Sequence, residues 1–151
     1  MITLERILLP TDFSECSERA RSYACELAKR FTAELHLLHV AGPVMIPAGY
    51  VGTIPDELLR PEQGAREELE KWDDPEFEQA KGVVRSVTLG TAFVEIVRYA
   101  REHNADLIVI GTHGRSGLSH ALLGSVTEKV IRKAPCPVLA VRPEGQQFVM
   151  P

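Results

Sequence analysis

The chain has 151 residues, 44% of them hydrophobic and 25% charged, a balance that fits one soluble domain burying about two-thirds of its unfolded surface. A formal net charge of −4 argues against sequence-independent binding to nucleic acid or to an anionic membrane, both of which need a basic surface. No apolar run reaches the length of a membrane span, and Glu5, Arg6, Pro10 and Asp12 break up any signal-peptide pattern.

In chain order, Arg6-Ile7-Leu8-Leu9 is a short apolar run stopped by Pro10, the pattern of a strand buried on both faces. Ala20, Tyr23, Ala24, Leu27, Ala28 and Phe31 then recur at helical spacing and mark one apolar stripe. A second strand is expected over residues 34–40. Residues 41–81 read as a partly irregular segment, because Gly42, Pro43, Pro47, Gly49, Gly52, Pro55 and Pro61 crowd its first half. Within it, residues 65–72 suit a short helix that Pro75 breaks or kinks. Between Asp56 and Glu78, ten carboxylates face only Arg60, Arg66 and Lys71, which reads as a solvated face or flexible segment.

Regular elements then return. Residues 83–89 suit a strand closed by Gly90, and Phe93, Ile96, Val97 and Ala100 form a second helical stripe. Asp106-Leu107-Ile108-Val109-Ile110 is the most strand-like run, residues 125–134 suit a helix, and residues 137–141 suit a closing strand. Strand and helix therefore alternate about five times, which predicts an α/β fold with a parallel sheet covered by helices on both sides. No repeat or second domain is visible, so residues 1–151 are expected to form a single domain. Cys16, Cys25 and Cys136 contain no CxxC pair and leave one thiol over in any disulfide scheme, so reduced thiols and a cytoplasmic setting are expected.

In an open parallel sheet, ligands bind beyond the carboxyl ends of strands where the strand order reverses. Two predicted strand ends are chemically unusual. One is Pro10-Thr11-Asp12-Phe13-Ser14, and the other is Gly111-Thr112-His113-Gly114-Arg115-Ser116-Gly117. If their strands are neighbours, an acidic group faces a glycine-rich loop across one crevice. Gly111 and Gly114 allow close backbone approach to an anion. After nine intervening residues, Gly124-Ser125 precedes a helix whose Ser125 and Glu128 fit a capping box, with Ser125 as N-cap. A helix amino end suits phosphate, and Ser125, Thr127 and Arg115 add hydroxyls and charge.

Each feature has a plainer reading. The glycines are also ordinary turn residues, Ser125 a simple cap, and Asp12 a cap for the first helix. They gain weight together, because all fall at one edge of the predicted sheet. No Walker A sequence occurs. His36 and His39 point to opposite faces of a strand and make a poor metal pair. His113 and His120 belong to the glycine loop region, His103 suits a helix carboxyl end, and Trp72 is expected to cover core. No Ser/His/Asp triad or zinc spacing is present.

Gly111-Thr112-His113-Gly114-Arg115-Ser116-Gly117, Leu122-Leu123-Gly124-Ser125-Val126 and Pro135-Cys136-Pro137-Val138-Leu139 together resemble the universal stress protein family. The spacing is that family's Gly-x2-Gly-x9-Gly-Ser/Thr, the mark of its ATP-binding branch. Residues 7–14 and 105–110 match as well. The resemblance implies a three-layer fold with a five-stranded parallel sheet of order 3-2-1-4-5, and ATP (or ADP or AMP) held with Mg2+ or Mn2+ through the phosphates. It places Pro10, Thr11, Asp12 and Val40 on the adenine and ribose side. Gly111, Gly114, Gly124, Ser125, Val126 and Thr127 fall around ribose and phosphates, with His113 and Arg115 nearby. It also implies a homodimer through the last strand, Val138–Val141, an apolar edge that should not stay uncovered. One departure is local: family members usually have a long amphipathic second helix where this chain has Pro61, Gly64 and Pro75.

The leading expectation is an ATP-binding stress-response or signalling module with an unknown protein partner and at most weak ATPase activity. A slow ATPase or phosphotransferase, and a dimeric interaction protein without nucleotide, are the alternatives. No obvious general base or nucleophile stands beside the glycine loop, though Asp12 or His113 could do modest work.

Overall fold

The structure is a computed structural model in which residues 1–114 and 123–143 are described. Five parallel strands form one sheet in the order β3-β2-β1-β4-β5. They are β1 (Arg6–Pro10), β2 (Glu34–Ala41), β3 (Gly82–Leu89), β4 (Leu107–Gly111) and β5 (Val138–Val141). The register is set centrally by Leu8, which lies opposite His36 of β2 and Ile108 of β4. Alternate residues of the apolar runs serve opposite faces, as strand pleating requires. Ile7, Leu9, Leu35, Leu37 and Val109 enter one core, while Leu8, Leu38, Ile108 and Ile110 enter the other. That two-sided burial is why these strands read as continuous apolar runs.

On the first face lies α1 (Glu15–Phe31), which presents Ala20, Ala24 and Ala28, all fully buried. Alanine at these places lets the helix sit close to the sheet. Tyr23 and Phe31 of the predicted stripe remain 46% and 39% exposed, because the alanine row rather than the large side chains faces the strands. Ser14 caps the helix, its Oγ accepting from Ser17 N at 3.3 Å.

The irregular segment is more ordered than its proline content predicts. It holds a single turn α2 (Asp56–Leu59), then α3 (Pro61–Lys71), then a 3-10 turn over Pro75–Gln79. Pro61 and Pro75 start helical elements rather than stop them, since a first helical position needs no N–H donor. Trp72 anchors this stretch to α1. It is buried against Phe13 and Phe77, lies under the Arg21 guanidinium at 5.3 Å, and donates from Nε1 to Glu18 Oε1. Arg21 in turn pairs with Glu18 at 2.7 Å and Asp74 at 2.9 Å.

The opposite face carries α4 (Ala92–Glu102) and α5 (Ser125–Lys133), which bury Ile96, Tyr99, Ala100 and Val130. His36 and His39 do part to opposite faces. His36 is buried against Tyr99, with 2.8 Å between Nδ1 and the phenol oxygen, whereas His39 packs on Phe13 and donates from Nδ1 to Thr11 O at 2.8 Å. Asp106 falls outside β4 for a clear reason. Its Oδ2 accepts the N–H groups of Glu5 and Arg6 at 2.8 and 2.9 Å, tying the starts of β1 and β4 together. No helix among the described residues is long and apolar enough to cross a membrane.

Candidate functional site

Strands β1 and β4 are neighbours, and the order reverses between them: β1 leads through α1 to β2 on one side, while β4 lies on the other. A crevice of about 240 Å3 opens there, beyond the strand carboxyl ends. Pro10, Thr11 and Asp12 line it from β1, Leu38 and Val40 from β2, and Ile110, Gly111, His113 and Gly114 from β4. Ala92 and Ile96 of α4 close its apolar side, and Gly124, Ser125, Val126 and Thr127 form the wall made by the start of α5. Eleven of the twelve expected site residues thus share one crevice. The twelfth, Arg115, lies outside the described residues, as do Ser116, Gly117 and His120.

The acidic wall is built by a tight turn after β1. Thr11 N–H donates to Leu38 O at 2.9 Å, and Thr11 Oγ1 accepts from Phe13 N at 3.0 Å. Phe13 adopts a left-handed backbone with φ 61°, an uncommon state for a bulky residue. Its ring packs 4.7 Å from His39, which holds the turn in place. Asp12 does not cap α1, as Ser14 fills that role. Asp12 Oδ1 instead accepts from Ser14 N at 3.0 Å and from Ser17 Oγ at 2.8 Å. An ideal Cβ on Gly114 would stand 2.9 Å from Asp12 Oδ2, so the carboxylate and the glycine loop do meet across the crevice.

The floor is tied together by main-chain oxygens. Val141 O accepts from Thr112 N at 2.9 Å and from Cys16 Sγ at 3.3 Å. Thr112 O accepts from Gly124 N at 2.6 Å, and Gly111 O accepts from Thr127 Oγ1 at 2.7 Å. Thr112 Oγ1 and His113 Nδ1 lie 2.8 Å apart. Through these bonds the end of β5 holds the start of α1, and the end of β4 holds the start of α5.

The helix amino end differs from the capping box expected on Ser125. The N-cap is Gly124, in an extended conformation, and Ser125 is the first helical residue. Gly124 occupies the cap because a Cβ there would lie 2.7 Å from Thr112 O, and only glycine admits that approach. The N–H groups of Ser125, Val126 and Thr127 therefore have no acceptor one turn earlier within α5, the condition that makes a helix amino end attractive to anions. Opposite chemistries flank the crevice, a carboxylate on one side and positive helix-end amides on the other, over an apolar inner wall. Among the described residues, no group of three His, Cys, Asp or Glu side chains is gathered to hold a metal ion.

A family description, "Universal stress protein family", matches residues 3–142. The chain belongs to the universal stress protein family. A universal stress protein of Methanocaldococcus jannaschii is 38% identical over 141 residues, covering 91% of this chain and 82% of that protein. The solved structure of a universal stress protein from Lactobacillus plantarum superposes with a TM-score of 0.77 at 26% identity, covering 94% of this chain and 100% of that one. One from Archaeoglobus fulgidus in complex with dAMP superposes with a TM-score of 0.63 at 25% identity, covering 93% and 99%.

Sequence reasoning missed Ser17, Leu38, Ala92, Ile96 and Ile110 as lining residues of this universal stress protein. Leu38 was within reach, since it lies two residues before Val40 on the same strand face. Ser17 left no signal, as its role comes from a contact with Asp12 that exists only once α1 has begun to wind.

Proposed function

We propose that this protein is a stress-response module that binds an adenine nucleotide, ATP first among them, in the crevice between β1, β4 and α5. One observation carries the reading. The Asp12 carboxylate and the amides at the start of α5, which have no acceptor within that helix, flank a single crevice whose inner side, with Leu38, Val40, Ile96 and Ile110, is apolar. A flat base suits the apolar side, sugar hydroxyls suit a carboxylate acceptor, and phosphates suit the amides. The dAMP held by the Archaeoglobus relative is of the same ligand class. Mg2+ or Mn2+ would enter on the phosphate oxygens, because no cluster of protein ligands is gathered for it among the described residues.

The test is to denature the purified protein, identify any released nucleotide, and titrate the stripped chain with ATP, ADP and AMP, with and without Mg2+. Saturable binding is expected, and tighter binding of ATP with Mg2+ supports the cation's route. A wild type that binds none of them sinks the proposal.

A homodimer through β5 is part of the same proposal. β5 is the sheet's outer strand beside β4, and Val138, Leu139 and Ala140 on it are only partly buried. Sedimentation equilibrium is expected to give twice the chain mass, and a monomer at micromolar concentration would exclude it.

A further inference from the structure

Asp12 is the acidic group of the crevice, and one hydroxyl governs how it stands. Ser17, in the first turn of α1 and 5% exposed, donates from Oγ to Asp12 Oδ1 at 2.8 Å. The same oxygen accepts the N–H of Asp12 at 3.3 Å, so the serine grips both the side chain and the main chain of that residue. Ser14 N–H adds a second donor to Oδ1 at 3.0 Å. With Oδ1 occupied by two donors, Oδ2 is directed across the crevice to Gly114. Helix capping does not account for the Ser17 hydroxyl, because the cap bond runs from Ser17 N to Ser14 Oγ and leaves the Ser17 proton for Asp12. Ser17 also lines the crevice itself.

We infer that Ser17 is a positioning residue that sets this site's preference for ribonucleotides over 2′-deoxyribonucleotides, acting through Asp12. The inference rests on the nucleotide-binding reading. A carboxylate offers only acceptors, and it repels phosphate. On a nucleotide whose base lies on the apolar side and whose phosphates lie at α5, the donors that fall between are the sugar hydroxyls. A held acceptor discriminates against a sugar lacking one of them, because its own desolvation is then uncompensated. A carboxylate free to swing would lose that discrimination by turning to water.

The experiment titrates ATP and 2′-deoxyATP into nucleotide-free wild type, Ser17→Ala, Ser17→Thr, Asp12→Asn and the Asp12→Asn/Ser17→Ala double variant by calorimetry. Wild type is expected to favour ATP. Ser17→Ala should weaken ATP binding about ten-fold and bring the ATP-to-deoxyATP affinity ratio towards one, and Ser17→Thr should recover most of both. The double variant should bind no more weakly than Asp12→Asn alone, as expected of a residue that acts through another. Melting curves check that each variant folds. If Ser17→Ala does not, Ser17→Cys takes its place, keeping the size while weakening the donor.

A Ser17→Ala variant with wild-type affinity and ratio would overturn the inference, as would losses that multiply in the double variant. So would a wild type indifferent to the 2′-hydroxyl. In these three cases nucleotide binding itself stands. A wild type that binds neither ATP nor 2′-deoxyATP removes the nucleotide reading and this inference together.

Discussion

Asp12 Oδ2 lies 2.9 Å from the point where a Cβ on Gly114 would stand. The contact is with a side-chain oxygen and not with backbone, so a larger residue at 114 pushes the carboxylate off its Ser14 and Ser17 donors rather than unfolding the chain. Gly114→Val is therefore expected to abolish ATP binding, as the valine pushes Asp12 aside and fills the crevice. Its melting temperature should stay within a few degrees of wild type. Calorimetry and a thermal melt on the same sample check both halves, and normal ATP binding by the variant would misplace the site.

Gly111 behaves oppositely, though it belongs to the same glycine pattern. A Cβ there would stand 2.8 Å from Cys16 Sγ and 3.0 Å from the Cys16 carbonyl carbon, and the backbone of α1 cannot step back cheaply. Gly111→Ala should cost about 1–3 kcal/mol of stability, an overpacking penalty. At this chain length that is a fall of roughly 2–4 °C per kcal/mol in melting temperature. Urea unfolding measures it, and an unchanged midpoint would refute the close packing of β4 on α1.

Thr127→Val separates a framework role from a ligand role. The substitution keeps shape and the Thr127 N–H, but it removes the hydroxyl that donates to Gly111 O at 2.7 Å. Thr127 is 3% exposed, so the carbonyl is left buried without that partner, a loss of about 1–3 kcal/mol. Denaturant unfolding should show the loss while ATP still saturates the variant, because the amide remains. A variant as stable as wild type would mean that the bond contributes nothing to holding α5.

Much of this was readable in advance, and the boundary is physical. The strands announced themselves because burial on both faces forces continuous apolar runs such as Leu107 to Ile110. The rule for parallel sheets put Asp12 and the glycine loop at one edge of the sheet, but that they meet across one crevice needed β1 and β4 to be neighbours, which only the family resemblance implied. The helix start at Ser125 was read correctly, but its cap was placed one residue late. Ser125 has the better capping side chain, but the approach of Gly124 to Thr112 O is tertiary and leaves no local mark. The distinct duties of Gly111 and Gly114 were hidden for the same reason: identical residues in one motif meet a helix backbone in one case and a carboxylate in the other.

The thiols supply a pH prediction. Burial, with Glu76 and Asp74 adding to it, pushes the Cys25 thiol up from 9.0 to about 12. Burial raises the Tyr99 phenol as well. For both groups the folded state keeps the proton that the unfolded chain releases. The Cys25 contribution is therefore fully present below pH 9 and is lost as pH climbs from 9 towards 12, while that of Tyr99 is lost only above pH 10. Urea midpoints measured at pH 8 and pH 10.5 should fall, and fall less in Cys25→Ala. Ellman's reagent at pH 8 should reach at most Cys136 in the native protein, since Cys16 and Cys25 are buried, and all three thiols after denaturation. Rapid labelling of Cys25 in the native state would contradict its burial.

The 2.6 Å bond from Gly124 N to Thr112 O has one more implication. It brings the chain back beside the point where it left the sheet, and Thr127 and Gly111 repeat the closure just beneath it. Residues 113–123 thus join two points that the framework already holds side by side, so a longer stretch between Gly114 and Gly124 would add little to the entropy of closing it.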